Sequence, residues 1–386
     1  MYDFDTAPNR KGTGCYKWDF ADVSFGGKDI LPMWVADMDF KTAQPIIVGI
    51  QESLKEVVYG YSVLTDRYYE SVIRWLKKKH NIEVNKEWIV TIPGVVTALY
   101  HSVQILSEVG DEIIIPTPVY TPFYHAVEDF GRVAVRSSLV WKDGRYTFDF
   151  DDIESKINCK TKAIMLCSPH NPTGRVWDKE ELTRLCEICK KHNIYIIDDE
   201  IHNDLVFEKE HTIIGKISED SFNRSIICTA PSKTFNIAGI PASNIIIKND
   251  EIREKFREMV RKSHNSLCNA VVEPAVCAAY DHCEEWLVEV LKYIRENAKY
   301  FVSRIEGEIP NLKAYLPDGT YLMWVDFRGT GKSHDEIKNI LVKECSLGFN
   351  SGEDYGIEGE GFFRVNLACP RSFVEDAIER LKKAFA

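Results

Sequence analysis

The sequence predicts an α/β fold, with a large domain built on a mostly parallel sheet and a smaller α+β domain. Three observations carry that reading. Between Glu87 and Lys248 short apolar runs alternate with longer amphipathic ones, the pattern of βαβ units. Two of the apolar runs lead into functional side chains, Asp199 and Lys233, as happens at the carboxyl edge of a parallel sheet where open α/β folds bind ligands. Finally, 386 residues at 45% hydrophobic content exceed one domain of about 100–200 residues and suggest two.

In order, the pattern predicts a strand over 88–92 and a helix from Val95 to Glu108, then a strand over 113–115 and a helix near 123–130. A strand over 163–167, a helix over 179–192 and strands over 194–197 and 225–228 complete the repeat. Beyond Ile252 the character changes to long helices that reach about Ile305, followed by strands over 321–326 and 362–367. The expected division is residues 1–40 as an N-terminal segment contributing to the small domain, 41–284 as the large domain and 285–386 as the C-terminal small domain.

With 48 basic and 59 acidic side chains, the formal charge of −11 argues against a nucleic-acid surface. The one basic run, Lys77 to Lys79 with His80, reads as a solvated helix end where positive charge complements the dipole. Eleven scattered cysteines, several in apolar runs, read as reduced thiols of a cytoplasmic protein. Cys186, Cys189 and His192 have zinc-like spacing, but they fall within one helical pattern with no second cluster, so no metal is expected. The first residues lack the basic and apolar regions of a signal peptide, and no apolar run approaches the ~20 residues of a membrane span.

The chemistry is expected at the strand ends. A lysine at the end of a buried strand loses hydration, its pKa falls, and the neutral amine of Lys233 can attack an aldehyde. A buried carboxylate, Asp199, is the partner that pyridoxal phosphate needs to keep its ring nitrogen protonated. Gly94-Val95-Val96 joins a strand to a helix, either as a structural turn or as a phosphate cradle of backbone N–H groups. Tyr120, in a proline-rich turn, is either packing or a ring that lies on the cofactor. Asn171 begins an Asn-Pro-Thr-Gly turn and can also donate to the cofactor oxygen, and His202, three residues after Asp199, falls near the same ring.

The ordered set Gly94, Tyr120, Asn171-Pro172-Thr173-Gly174, Asp199, Ser232-Lys233 and Arg364 resembles the class I/II aminotransferase superfamily of fold-type I pyridoxal-phosphate enzymes. The resemblance implies a mostly parallel seven-stranded sheet and pyridoxal 5'-phosphate as cofactor. It also implies catalytic roles for Lys233, Asp199 and Tyr120, with Gly94, Val95, Val96, Asn171, His202 and Ser232 around the cofactor. Arg364, with Asn171, would hold the substrate carboxylate as a fork.

The stretches 10–19 and 31–40, with Asp199-Glu200-Ile201-His202 and Lys233-Thr234-Phe235-Asn236, are similar to the PatB/MalY group of carbon–sulfur β-lyases. That narrower likeness implies a homodimer in which Tyr61 reaches the phosphate of the neighbouring subunit, and a small amino-acid thioether as substrate. Pro241 stands where many aminotransferases carry a phosphate-binding arginine, a departure that the lyase group shares. The alternatives are an aminotransferase of an aromatic or dicarboxylic amino acid, or a regulatory protein with residual lyase activity.

Overall fold

A computed structural model describes residues 2–56, 58–142, 144–265 and 268–386. Its centre is a seven-stranded sheet in the order Ile89–Ile92, Ser243–Ile246, Ser225–Thr229, Tyr195–Asp199, Thr161–Cys167, Glu112–Thr117 and Val133–Ser138. All neighbours are parallel except Ser243–Ile246, which runs antiparallel to both strands beside it. Strand Ser225–Thr229 is buried throughout, and Tyr195–Asp199 at every position but its first, because helices cover both faces of the sheet. Six strands therefore end at one edge; Asp199 closes one of them, and the segments that leave four others carry Gly94, Tyr120, Asn171 and Lys233.

Local signals set the helices around this sheet. Helix Lys179–His192 starts in a reciprocal capping box between Asp178 and Glu181, and it stops at Asn193 with a left-handed φ of 52°. Cys186 and Cys189 face the core, while His192 Nε2 lies 2.8 Å from Glu154. At the end of helix Asp66–His80 the three lysines are exposed as expected for a solvated terminus, but His80 is not. It is buried against Asp204, with Nε2 at 2.8 Å from Oδ1, and lies edge-on to the His211 ring.

A second, four-stranded antiparallel sheet runs in the order Lys313–Ala314, Leu322–Asp326, Phe362–Asn366 and Asn350–Ser351. The N-terminal segment joins these C-terminal elements through parallel pairing of Leu31–Pro32 with Leu347–Gly348. Helix Glu284–Glu308 serves both cores: Trp286, Leu287, Val290 and Ile294 pack with the large one, and Ala298, Phe301 and Ile305 with the other. No helix among the described residues is long and apolar enough to cross a membrane.

Candidate active site

At the carboxyl edge of the large sheet lies a cavity of about 440 Å³. Of the eleven site residues expected from the sequence, ten line it: Gly94, Val95, Val96, Tyr120, Asn171, Asp199, His202, Ser232, Lys233 and Arg364. The eleventh, Tyr61, stands 96% exposed outside it.

Each side chain is set by its own turn. Gly94 caps helix Val95–Leu106, whose first N–H groups have no intrahelical acceptors and so face the cavity end as anion donors. A Cβ at Gly94 would meet no protein atom within 4 Å, so glycine here leaves open space beside those donors rather than relieving a protein contact. In the Asn171 turn the glycine is obligatory for a different reason. Gly174 has φ +70°, and a Cβ there would come within 2.4 Å of Pro317. Lys233 sits on the short helix Pro231–Thr234, where the Thr234 hydroxyl donates to buried Asp204 at 2.8 Å. Asp204 also accepts from Trp75 Nε1 at 3.1 Å, so a buried carboxylate anchors the helix that carries the lysine.

Burial brings the titration of both the amine and the acid towards neutral pH. Burial lowers the Lys233 pKa to about 8, with Asp37 opposing that shift, Arg364 adding to it and Asp199 opposing it. Burial raises Asp199 to about 7 against the opposing effects of the Ile201 N–H and Lys233. His202 falls to about 3 through burial and then the charges of Lys233 and Arg364, which keeps it neutral. Arg364 donates from Nη1 to Asn171 Oδ1 at 2.9 Å and from Nη2 to Asn350 Oδ1 at 2.7 Å. Two buried nitrogens in these walls, His202 Nδ1 and Arg364 Nε, have no hydrogen-bond partner. Unsatisfied buried polar atoms of this kind are what a bound polar ligand satisfies.

One wall was not legible as part of the site. The backbone of residues 34–38 crosses the cavity as a strap, with the Ala36 carbonyl accepting from Lys233 Nζ at 2.7 Å and from the Tyr321 hydroxyl at 2.8 Å. The Trp34 carbonyl accepts from Arg364 Nη2 at 2.7 Å, and Asn366 Nδ2 donates to the carbonyls of Val35 and Asp37. Four charged residues lock the strap. Arg10 bridges Asp37 at 2.5 Å and Asp39 at 2.9 Å, and Lys17 meets Asp39 at 2.5 Å with both side chains 1% exposed. Burial pushes the Lys17 ammonium down, but Asp39 and Asp37 hold it above its ordinary value, so Lys17 stays charged. The stretch 31–40 carried a family likeness, but nothing in it signalled that its carbonyls hold the site lysine and arginine.

A buried amine, a buried acid at the same strand edge, a helix start and an arginine fork are the donor set that a flat anionic aldehyde and an amino acid require, and pyridoxal phosphate fits it. The chain belongs to the class I and II aminotransferase family, whose pattern matches residues 34–381. It is 39% identical over 386 residues, the full length of both chains, to cystathionine β-lyase PatB of Bacillus subtilis. It is 30% identical to protein MalY of Escherichia coli, with 100% of this chain and 99% of that one covered. Its fold is the fold-type I arrangement of cystalysin from Treponema denticola, a structure that contains pyridoxal 5'-phosphate. That match has a TM-score of 0.96 at 38% identity and covers 100% and 98% of the two chains.

Proposed function

We propose that this protein is a pyridoxal-phosphate-dependent carbon–sulfur β-lyase that cleaves cystathionine- or cysteine-type thioethers to a thiol, pyruvate and ammonia. The observation that carries the reading is the convergence of Lys233, with an amine titrating at about 8, on Asp199 and Arg364 in one cavity. The chain around them is full-length kin to a cystathionine β-lyase.

When bound, the cofactor supplies the aldehyde that takes up the substrate amine and the ring that accepts the electrons of the Cα–H bond. Lys233 holds the cofactor and, once displaced by the substrate amine, is the base that takes the α-proton on Nζ. The Ala36 carbonyl, 2.7 Å from Nζ, orients that amine. Asp199 would pair with the ring nitrogen and hold it protonated, and a cationic partner there would favour the carboxylate that burial disfavours. Val95, Val96 and Ser232 line the cavity and would offer donors to the phosphate, Tyr120 and His202 would border the ring, and the Asn171 amide hydrogens would be free for the ring oxygen. Arg364 binds the substrate carboxylate and fixes the Cα–H bond relative to Lys233. The Cβ–S bond then breaks with its electron pair leaving on sulfur, the thiolate takes a proton, and the released enamine hydrolyses to pyruvate and ammonia. Incubating the holoenzyme with L-cystathionine and no oxo acid tests this: homocysteine, pyruvate and ammonia in equal amounts are expected, and their absence refutes the lyase reading.

The working form is a homodimer with Tyr61 reaching the partner's phosphate site. The support is exposed Val58, Tyr59, Tyr61 and Val63 beside an apolar-walled hollow of about 530 Å³ that borders the cavity at Pro93, Pro241 and Ala242. The reaction belongs in the cytoplasm, in keeping with eleven unpaired cysteines, eight of them buried. Residues 1–40 and 285–386 act as one domain against 41–284, a reading supported by the pairing of Leu31–Pro32 with Leu347–Gly348 and by one core that joins Leu31 and Met33 to Phe301, Phe349 and Val365.

A further inference from the structure

A second hollow of about 180 Å³ adjoins the active-site cavity, and Trp34 and Asn350 line both. Both have oxygens that accept from Arg364 Nη2, so the substrate's carboxylate clamp and the second hollow share one wall. The rest of that hollow is largely apolar, with Phe25 and Phe349 among its walls. Two charges of opposite sign interrupt it, Lys338 and Asp354. Burial raises the Asp354 pKa, while Lys338, His334 and Arg364 favour its charged form and Glu353 opposes it. Asp354 thus lies within electrostatic reach of both the lysine across the hollow and the arginine of the reaction cavity. Its backbone carbonyl accepts from the Thr121 hydroxyl at 2.6 Å, which ties its segment to the loop carrying Tyr120.

A β-lyase substrate has two arms. The reacting arm is an α-amino acid whose carboxylate belongs on Arg364, and the other arm lies beyond sulfur and leaves with the thiol. When that leaving arm is itself an amino acid, it consists of a short run of CH₂ groups ending in a carboxylate and an ammonium. Apolar walls suit the CH₂ groups, and one cation and one anion suit the zwitterionic end. We propose that this hollow is the subsite for the distal arm of the substrate, with Lys338 receiving the distal carboxylate and Asp354 the distal ammonium. The proposal rests on the lyase reading and narrows it: thioethers with a zwitterionic leaving arm are preferred over simple S-alkyl cysteines.

The test compares L-cystathionine, which has the charged arm, with S-methyl-L-cysteine, which lacks it. In Lys338→Glu and Asp354→Asn variants of the holoenzyme, kcat/KM for cystathionine should fall about fivefold or more, the scale of a charge-assisted contact at a partly exposed site, while that for S-methyl-L-cysteine stays within about twofold. Equal changes for both substrates, or none for either, overturn the subsite. Calorimetric binding of the same two compounds to cofactor-loaded Lys233→Ala protein, which lacks the base, separates the two claims. A cystathionine affinity that falls on adding Lys338→Glu supports the subsite even if neither compound is turned over by the parent enzyme. An affinity that is unchanged overturns it even if both are.

Discussion

Raising the pH of the apo-protein through about 8 should convert Lys233 from an ammonium to a reactive amine, more than two units below an ordinary lysine at 10.5. The sign follows from burial, which disfavours the charged form; the carboxylates of Asp37 and Asp199 recover only part of the loss. At pH 7 a pKa near 8 leaves about 9% of the amine neutral, against about 0.03% at the ordinary value, a gain of roughly 300-fold in reactive form. The assay is aldehyde capture trapped by cyanoborohydride between pH 6 and 10, followed by peptide mapping with surface lysines as internal references. Lys233 labelling should rise to a midpoint near 8 and then level off, while surface lysines keep rising beyond 10. Asp37→Asn, which removes a carboxylate favouring the ammonium, should move the midpoint lower still. A Lys233 midpoint above 10, or preferential labelling of another lysine, refutes the reasoning.

Asp199→Asn should keep the cofactor but slow exchange of the substrate α-proton into deuterated water by about 10²-fold or more, because a preorganised charge partner is lost while the phosphate donors stay. Arg364→Ala should cost about 2–5 kcal/mol in kcat/KM for every α-amino acid tested, since it removes a buried charged clamp shared by all of them. Lys17→Met should lower unfolding stability in urea by about 3 kcal/mol, the lower end for breaking a buried pair, because Asp39 keeps Arg10 and the Trp18 indole as partners. An unchanged urea midpoint would mean that the strap is held by its backbone contacts alone.

The site was legible where the fold itself exposes chemistry. Buried parallel strands read as unbroken apolar runs, and the residues at or just past their ends, Gly94, Tyr120, Asn171, Asp199 and Lys233, line one cavity. Strand Ser243–Ile246 escaped notice because two of its four residues are buried polar ones. The Ser243 hydroxyl donates to the Ile92 carbonyl at 2.8 Å, and Asn244 accepts from the Tyr68 hydroxyl at 2.8 Å, so the apolar run Ile245 to Ile247 covers only the second half of the strand. The edge strand Val133–Ser138 has a different reason: it is mostly open to solvent and turns polar after Val135. The strap over residues 34–38 contributes backbone carbonyls, which every residue has, and its lock joins residues from four separate positions. Asp204 and His80 look like ordinary surface types, and only their shared burial behind Thr234 gives them a part in holding Lys233.

The most direct measurement is the amount of pyruvate formed per active site when holoenzyme meets excess L-cystathionine with no oxo acid present. Elimination regenerates the enzyme after each cleavage, so pyruvate should accumulate to many equivalents, matched by homocysteine, and Lys233→Ala should abolish it. Transamination without an acceptor stops after one half-reaction. A reaction that ends within one equivalent of oxo acid, and continues only when an oxo acid is added, would contradict the lyase mechanism.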